Sequence, residues 1–117
     1  MHTISEQQIQ DTLKVIDSTI INCEKVQLKL KQGSPQLSLS KSRIKALYVS
    51  KDLLLNHGKL YPREELENAV LQISSIKNKS TTGIHNAKEK SSTYTRFFRI
   101  INAMDIILDY LQKAIAK

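Results

Sequence analysis

Tryptophan is absent from these 117 residues, cysteine occurs once, proline twice and glycine three times. Each shortage excludes something. With Cys23 alone, neither an intrachain disulfide nor a thiolate metal cluster can form. Its place on the apolar stripe of the first helical segment reads as a small buried thiol rather than a nucleophile. Three isolated glycines cannot build a phosphate-cradling loop, and no serine stands in a nucleophile-elbow pattern. With so few aromatic residues, the core has to be made of Ile, Leu, Val and Ala, a composition suited to interlocking helices.

Long apolar runs are also missing. The stretch "MHTISEQQIQ" has neither a basic n-region nor an apolar h-region, so it is not read as a secretory signal and the chain is expected in the cytoplasm. Asp105 and Asp109 interrupt the most apolar segment, and no run approaches the roughly 20 residues that a membrane span needs. The histidines, His2, His57 and His85, have no second ligand at the close spacing that places two donors on one helix face. No catalytic residue, metal ligand or cofactor site is therefore expected, and the chain is read as non-enzymatic.

What is present has helical periodicity. The length fits one domain spanning residues 1–117, and Gly33, Gly58 and Gly83 divide it into four lengths, each glycine read as a helix stop or interruption. Thr3 with Glu6 forms a capping-box pattern that opens a first helix running to about Lys31. Its stripe is Ile9, Leu13, Ile16, Ile20, Cys23 and Leu30. Ser34 as N-cap and Pro35 at the first helical position start a second helix. There Leu37, Ile44, Leu47, Tyr48, Leu54 and Leu55 make the stripe. Lys51 projects inside this stripe, between Ile44 and Leu47, so it must snorkel, meet a partner or pair with a carboxylate. Asp17 or Glu24 would serve if the first two helices are antiparallel neighbours.

A third helix begins near Pro62, with Glu64, Glu65 and Glu67 at the positive end of its dipole and Leu66, Ala69, Val70, Ile73 and Ile76 on its apolar face. Residues 77 to 93 are polar and undetermined. Either Asn86 with Glu89 caps an early start of the fourth helix, or the whole stretch is a loop.

The fourth helix carries a surplus. Its apolar arc, centred on Ile101, covers on the order of 200°, against roughly 100° for an ordinary surface helix. Tyr94, Phe97, Ile101, Met104, Leu108, Leu111 and Ile115 hold a 3-4 seam. Two neighbouring helices cover about half of the arc, and the rest needs a third neighbour from this chain or another. The expected fold is all-α, an up-and-down four-helix bundle with a long, strongly apolar C-terminal helix as its most buried element. Ile106, on the polar side of the helix, and Tyr110, together with Lys51, form the candidate partner surface, and a homodimer through the C-terminal helix is an alternative use of it.

The formal charge is +7 and the pI about 9.6, which favours acidic partners. The lysines are spread along the chain, which reads first as a solvated surface. Lys77, Lys79, Lys88, Lys90, Arg96 and Arg99 are the candidate phosphate contacts if nucleic acid is the partner. No short helix pair with a polar recognition helix is present for sequence-specific reading.

The abundance of Ile, Lys, Asn and Ser resembles proteins of AT-rich bacterial genomes. The stretch "KLKQGSPQLSLSKSRIKALY" is similar to a helix–turn–helix stretch of bacteriocin-immunity bundles, and in general terms the chain also looks like small accessory proteins of phages and mobile elements. The order of segments along the chain does not align with immunity bundles, so no functional residue is carried across. The leading expectation is a small bacterial helical bundle that binds another protein in an accessory, regulatory or immunity-type role. The alternative is a basic module making nonspecific contacts with nucleic acid.

Overall fold

The computed structural model describes residues 4–117. They form four α-helices, α1 (Glu6–Gln27), α2 (Pro35–Leu55), α3 (Arg63–Asn86) and α4 (Ser92–Ala116), and no strand is present among them. The fold is the expected all-α four-helix bundle.

Local chemistry sets the helix ends. At the start of α1, Ser5 Oγ accepts from the Gln8 backbone N–H at 3.1 Å and Gln8 Oε1 accepts from the Ser5 N–H at 2.8 Å. This is a complete capping box two residues beyond the Thr3–Glu6 pair singled out from sequence. Thr3 itself lies outside the described residues, and Glu6 is the first residue of the helix. The last turn tightens through Lys29 N–H to Val26 O and Leu30 N–H to Gln27 O, so α1 stops at Gln27 rather than near Lys31. Gly33, at φ +80°, turns the chain into α2. There Ser34 Oγ accepts from Leu37 N–H and Pro35 opens the helix, as its fixed φ and missing N–H dictate.

The end of α2 is made by Asn56 rather than by Gly58. Asn56 takes the left-handed conformation (φ 56°), and His57 N–H returns to Asp52 O at 3.3 Å. This hydrogen bond, two residues past the helix, is the Schellman closure. α3 then runs much further than its apolar pattern suggests. It passes through Lys77, Ser80 and Gly83 to Asn86, and Ser91 caps α4 through Tyr94 N–H. Both readings of residues 77 to 93 give way: Asn86 ends α3 instead of starting α4, and the connection is only 87–91.

Two observations explain the long α3. Ser80 is buried, and the Thr81 and Thr82 hydroxyls bond to the carbonyls of Lys77 and Asn78 one turn back, so these groups stay satisfied within the helix. Gly83 lies against α4: a Cβ there would sit 2.6 Å from Phe97 Cζ. This glycine is a contact point between helices, not a stop.

α2 and α4 each touch all three other helices, whereas α1 and α3 do not touch one another. The surplus apolar arc of α4 is therefore met by α1, α2 and α3 together, the third neighbour coming from the chain itself. The arc is also rotated from its expected centre. Ala103, Met104, Ile107 and Leu111 are buried, while Ile101 is half-buried. The helix contributing most buried positions is α2, through Leu37, Ala46, Leu47, Val49, Ser50 and Leu54. Its apolar residues are spread around its circumference because it has neighbours on three sides. The assembly is a slab of 39 × 38 × 19 Å.

Candidate functional site

The residues singled out on α4 do not stand free. Ile106 and Tyr110 are both half-buried and pack against the core, and the exposed large apolar side chain on α4 is Phe98, stacked on Tyr94 with ring centroids 6.5 Å apart. Lys51 meets the carboxylate anticipated for it: its Nζ is 2.8 Å from Asp17 Oδ1 across the antiparallel α1–α2 pair. This hydrogen bond, then the Asp17 charge, pushes the Lys51 ammonium above its ordinary pKa. The ion pair explains a lysine within an apolar stripe and commits Lys51 to a solvent-accessible bridge between α1 and α2.

The candidate phosphate contacts are similarly divided. Lys77 pairs with Asp105 at 2.5 Å, tying α3 to α4, and the Arg96 guanidinium lies 5.8 Å from the centre of the Phe97 ring. Arg96 and Arg99 open onto a cleft of about 1020 Å³ between α1 and α4, whose lining also includes Asp11 and Asp105. Lys79, Lys88 and Lys90 do not line it. Two carboxylates thus share the cleft onto which Arg96 and Arg99 open.

Positive charge is concentrated elsewhere. Of the 18 Lys and Arg and 11 Asp and Glu, seven cations and no anion fall between residues 25 and 51. Eleven of each remain in the rest of the chain, so this segment accounts for the whole net charge of +7. The signal was present in the sequence but hidden by following lysines alone, which are indeed scattered; it appears once the acids are mapped as well. Structurally the segment is the end of α1, the turn after it and most of α2.

Between these same two helices runs a groove of about 840 Å³. Its apolar lining is Ile21, Leu28, Ile44 and Tyr48, and Glu24, Lys25, Gln27, Lys41 and Lys45 complete it. Leu28 is 88% exposed, and Ile21 and Tyr48 about half exposed. Tyr48 was assigned to the buried stripe of α2. Instead Ala46, Leu47, Val49 and Ser50 face inward, and Tyr48 opens to solvent. Lys45 is held by Glu65 at 2.8 Å. Among the described residues, Lys25 and Lys41 have no carboxylate within 4.0 Å.

Other polar clusters are structural. Tyr61 OH donates to Asp52 Oδ2, and His57 Nδ1 lies 3.4 Å from Asp52 Oδ1, which fastens the α2–α3 connection. Burial, followed by the hydrogen bond to Asp52, pushes the Tyr61 phenol up to about 12, the wrong direction for an acid or nucleophile. The half-buried Cys23 thiol is also raised, mainly by burial. Asp109 pairs with Lys113, one helical turn on, at 2.9 Å. Among the described residues no three His, Cys, Asp or Glu side chains gather into a metal-binding set, and no helix is long and apolar enough to cross a membrane. No protein-family model, curated protein or solved structure matches the chain.

Proposed function

We propose that this chain is a non-enzymatic interaction protein that binds another protein, in an accessory, regulatory or immunity-type role in the bacterial cytoplasm. One observation carries the reading. The α1–α2 groove exposes Ile21, Leu28 and Tyr48 in a single concavity, and apolar side chains gathered at one place offer a partner more than the same side chains scattered singly. The proposal moves the contact away from Ile106 and Tyr110, which are already engaged by the core.

Nucleic acid is the weaker reading for the same groove. Its floor is aliphatic with a single tyrosine, whereas single strands are held on stacking aromatics and phosphates by hydrogen-bonding and cationic groups.

The test compares wild-type protein with Leu28→Asp and Tyr48→Ala as baits in nuclease-treated host extract, after circular dichroism has shown that both variants retain their fold. A protein retained by the wild type and lost from both variants is expected. Equal retention by all three would remove the groove from the model.

A further inference from the structure

We propose that the occupant of the α1–α2 groove is an amphipathic α-helix of another protein whose apolar stripe is flanked by Asp and Glu. This rests on the protein-binding reading above and gives the partner a chemistry.

The helical form follows from the backbone. Both walls of the groove are helical, with the backbone engaged in i to i−4 ladders along α1 and α2 and in a tightened turn after Gln27. No sheet edge is offered, so an extended peptide would find no main-chain partners here. A segment entering an apolar groove has to satisfy its own backbone, and a helix does so. Two antiparallel helices also present between them the furrow into which the side-chain ridge of a third helix packs. Ile21, Leu28, Ile44 and Tyr48 supply the apolar contacts for that ridge.

The acidic flanks follow from charge. Lys25 and Lys41 stand on opposite walls without a carboxylate partner among the described residues, and Glu24 is the sole acid in the lining. Of the seven cations in the segment from 25 to 51, Lys45 and Lys51 are held by Glu65 and Asp17, and the other five have no carboxylate within 4.0 Å among the described residues. A basic or neutral helix would leave this potential uncompensated, whereas acidic residues beside the stripe complement it. The same charge disfavours a second copy of this chain, because a two-fold contact through the groove would set one cationic segment against its twin. An anionic bilayer would meet the lysines, but its flat surface leaves a concave apolar floor unfilled.

The experiment pans the full chain against a displayed library of helices of about 15 residues, with Leu fixed on an i, i+3, i+4, i+7 stripe and all other positions randomised. Selected helices are expected to be enriched in Asp and Glu beside the stripe. Their affinity should fall roughly tenfold for the Lys25→Glu/Lys41→Glu double variant, and Lys-flanked versions should regain affinity for that variant. Selected helices with no acidic preference would overturn the inference while leaving protein binding standing. Binding insensitive to Leu28→Asp would overturn the placement in this groove. Failure to select any helix, with or without capture of phosphatidylserine vesicles or single-stranded RNA by the same protein, would overturn both the inference and the reading on which it rests.

Discussion

The ring of Phe97 on α4 fills the space that a side chain at position 83 of α3 would need, since a Cβ on Gly83 would lie 2.6 Å from its Cζ and 2.7 Å from its Cε2. Glycine within a helix costs about 1 kcal/mol relative to alanine, so Gly83 weakens α3 locally in order to admit α4.

A reversal of sign is the resulting prediction. In the wild type, Gly83→Ala displaces the Phe97 ring and lowers stability despite its better helix propensity. In a Phe97→Ala background the same substitution should raise stability by about 1 kcal/mol. Urea denaturation of the four proteins in this cycle checks it, and stabilisation in both backgrounds would mean that the helices do not meet at this point.

Ile101 and Ile107 separate the seam read from periodicity from the one that packing selects. Ile107 is fully buried and Ile101 only half-buried. Ile107→Ala is expected to cost about 2–5 kcal/mol, the usual range for emptying a core position, and Ile101→Ala clearly less. Ile107→Asp should unfold the protein. Equal denaturation midpoints for the two alanine variants would return the centre of the arc to Ile101.

Tyr61 makes stability depend on alkaline pH. Its folded pKa of about 12 lies above the ordinary value of 10.0, so the folded state retains a proton that the unfolded state releases. The contribution is complete below pH 10 and is lost as pH rises toward 12. Lys51 and Lys113, raised first by hydrogen bonds to Asp17 and Asp109, weaken the fold in the same direction above their ordinary 10.5. The diagnostic is thus a difference: Tyr61→Phe should cost about 1 kcal/mol at pH 8 for the lost hydrogen bond and show a shallower decline between pH 10 and 12. Parallel curves for the two proteins would exclude this role.

Cys23 should react slowly. Burial raises its thiol, Glu24 adds to the rise, and Arg43 and Lys79 only partly oppose it. Less thiolate at pH 8 means slower alkylation by iodoacetamide than in the unfolded chain, where the thiol is free. Equal rates in buffer and in urea would place the sulfur in solvent.

Much of the fold was legible because local chemistry and tertiary packing agree. Ser34 and Pro35 announce α2, the Glu64–Glu65 pair marks the start of α3, and the misplaced Lys51 points across to Asp17. Reading failed where packing overrules propensity. The 77–86 stretch of hydroxyls, lysines and one glycine looks like a loop, yet Ser80, Gly83 and Phe97 give it tertiary reasons to be helical. α2 hid its importance for the opposite reason: with three neighbours, its apolar residues form no single stripe. For the candidate site, helical projection placed Ile44 and Tyr48 in one stripe but could not tell which flank of α2 the other helices would leave uncovered.

The uneven placement of charge gives the molecule an orientation. With seven cations and no anion between residues 25 and 51, against one cation and four anions in residues 1–24, the α1–α2 hairpin is polarised along its length. A negative surface attracts the end of the hairpin that holds the turn between α1 and α2 and repels the acidic start of α1. For such a body, ionic strength governs how often an encounter begins in the right pose, while the aliphatic floor between α1 and α2 governs how long it lasts.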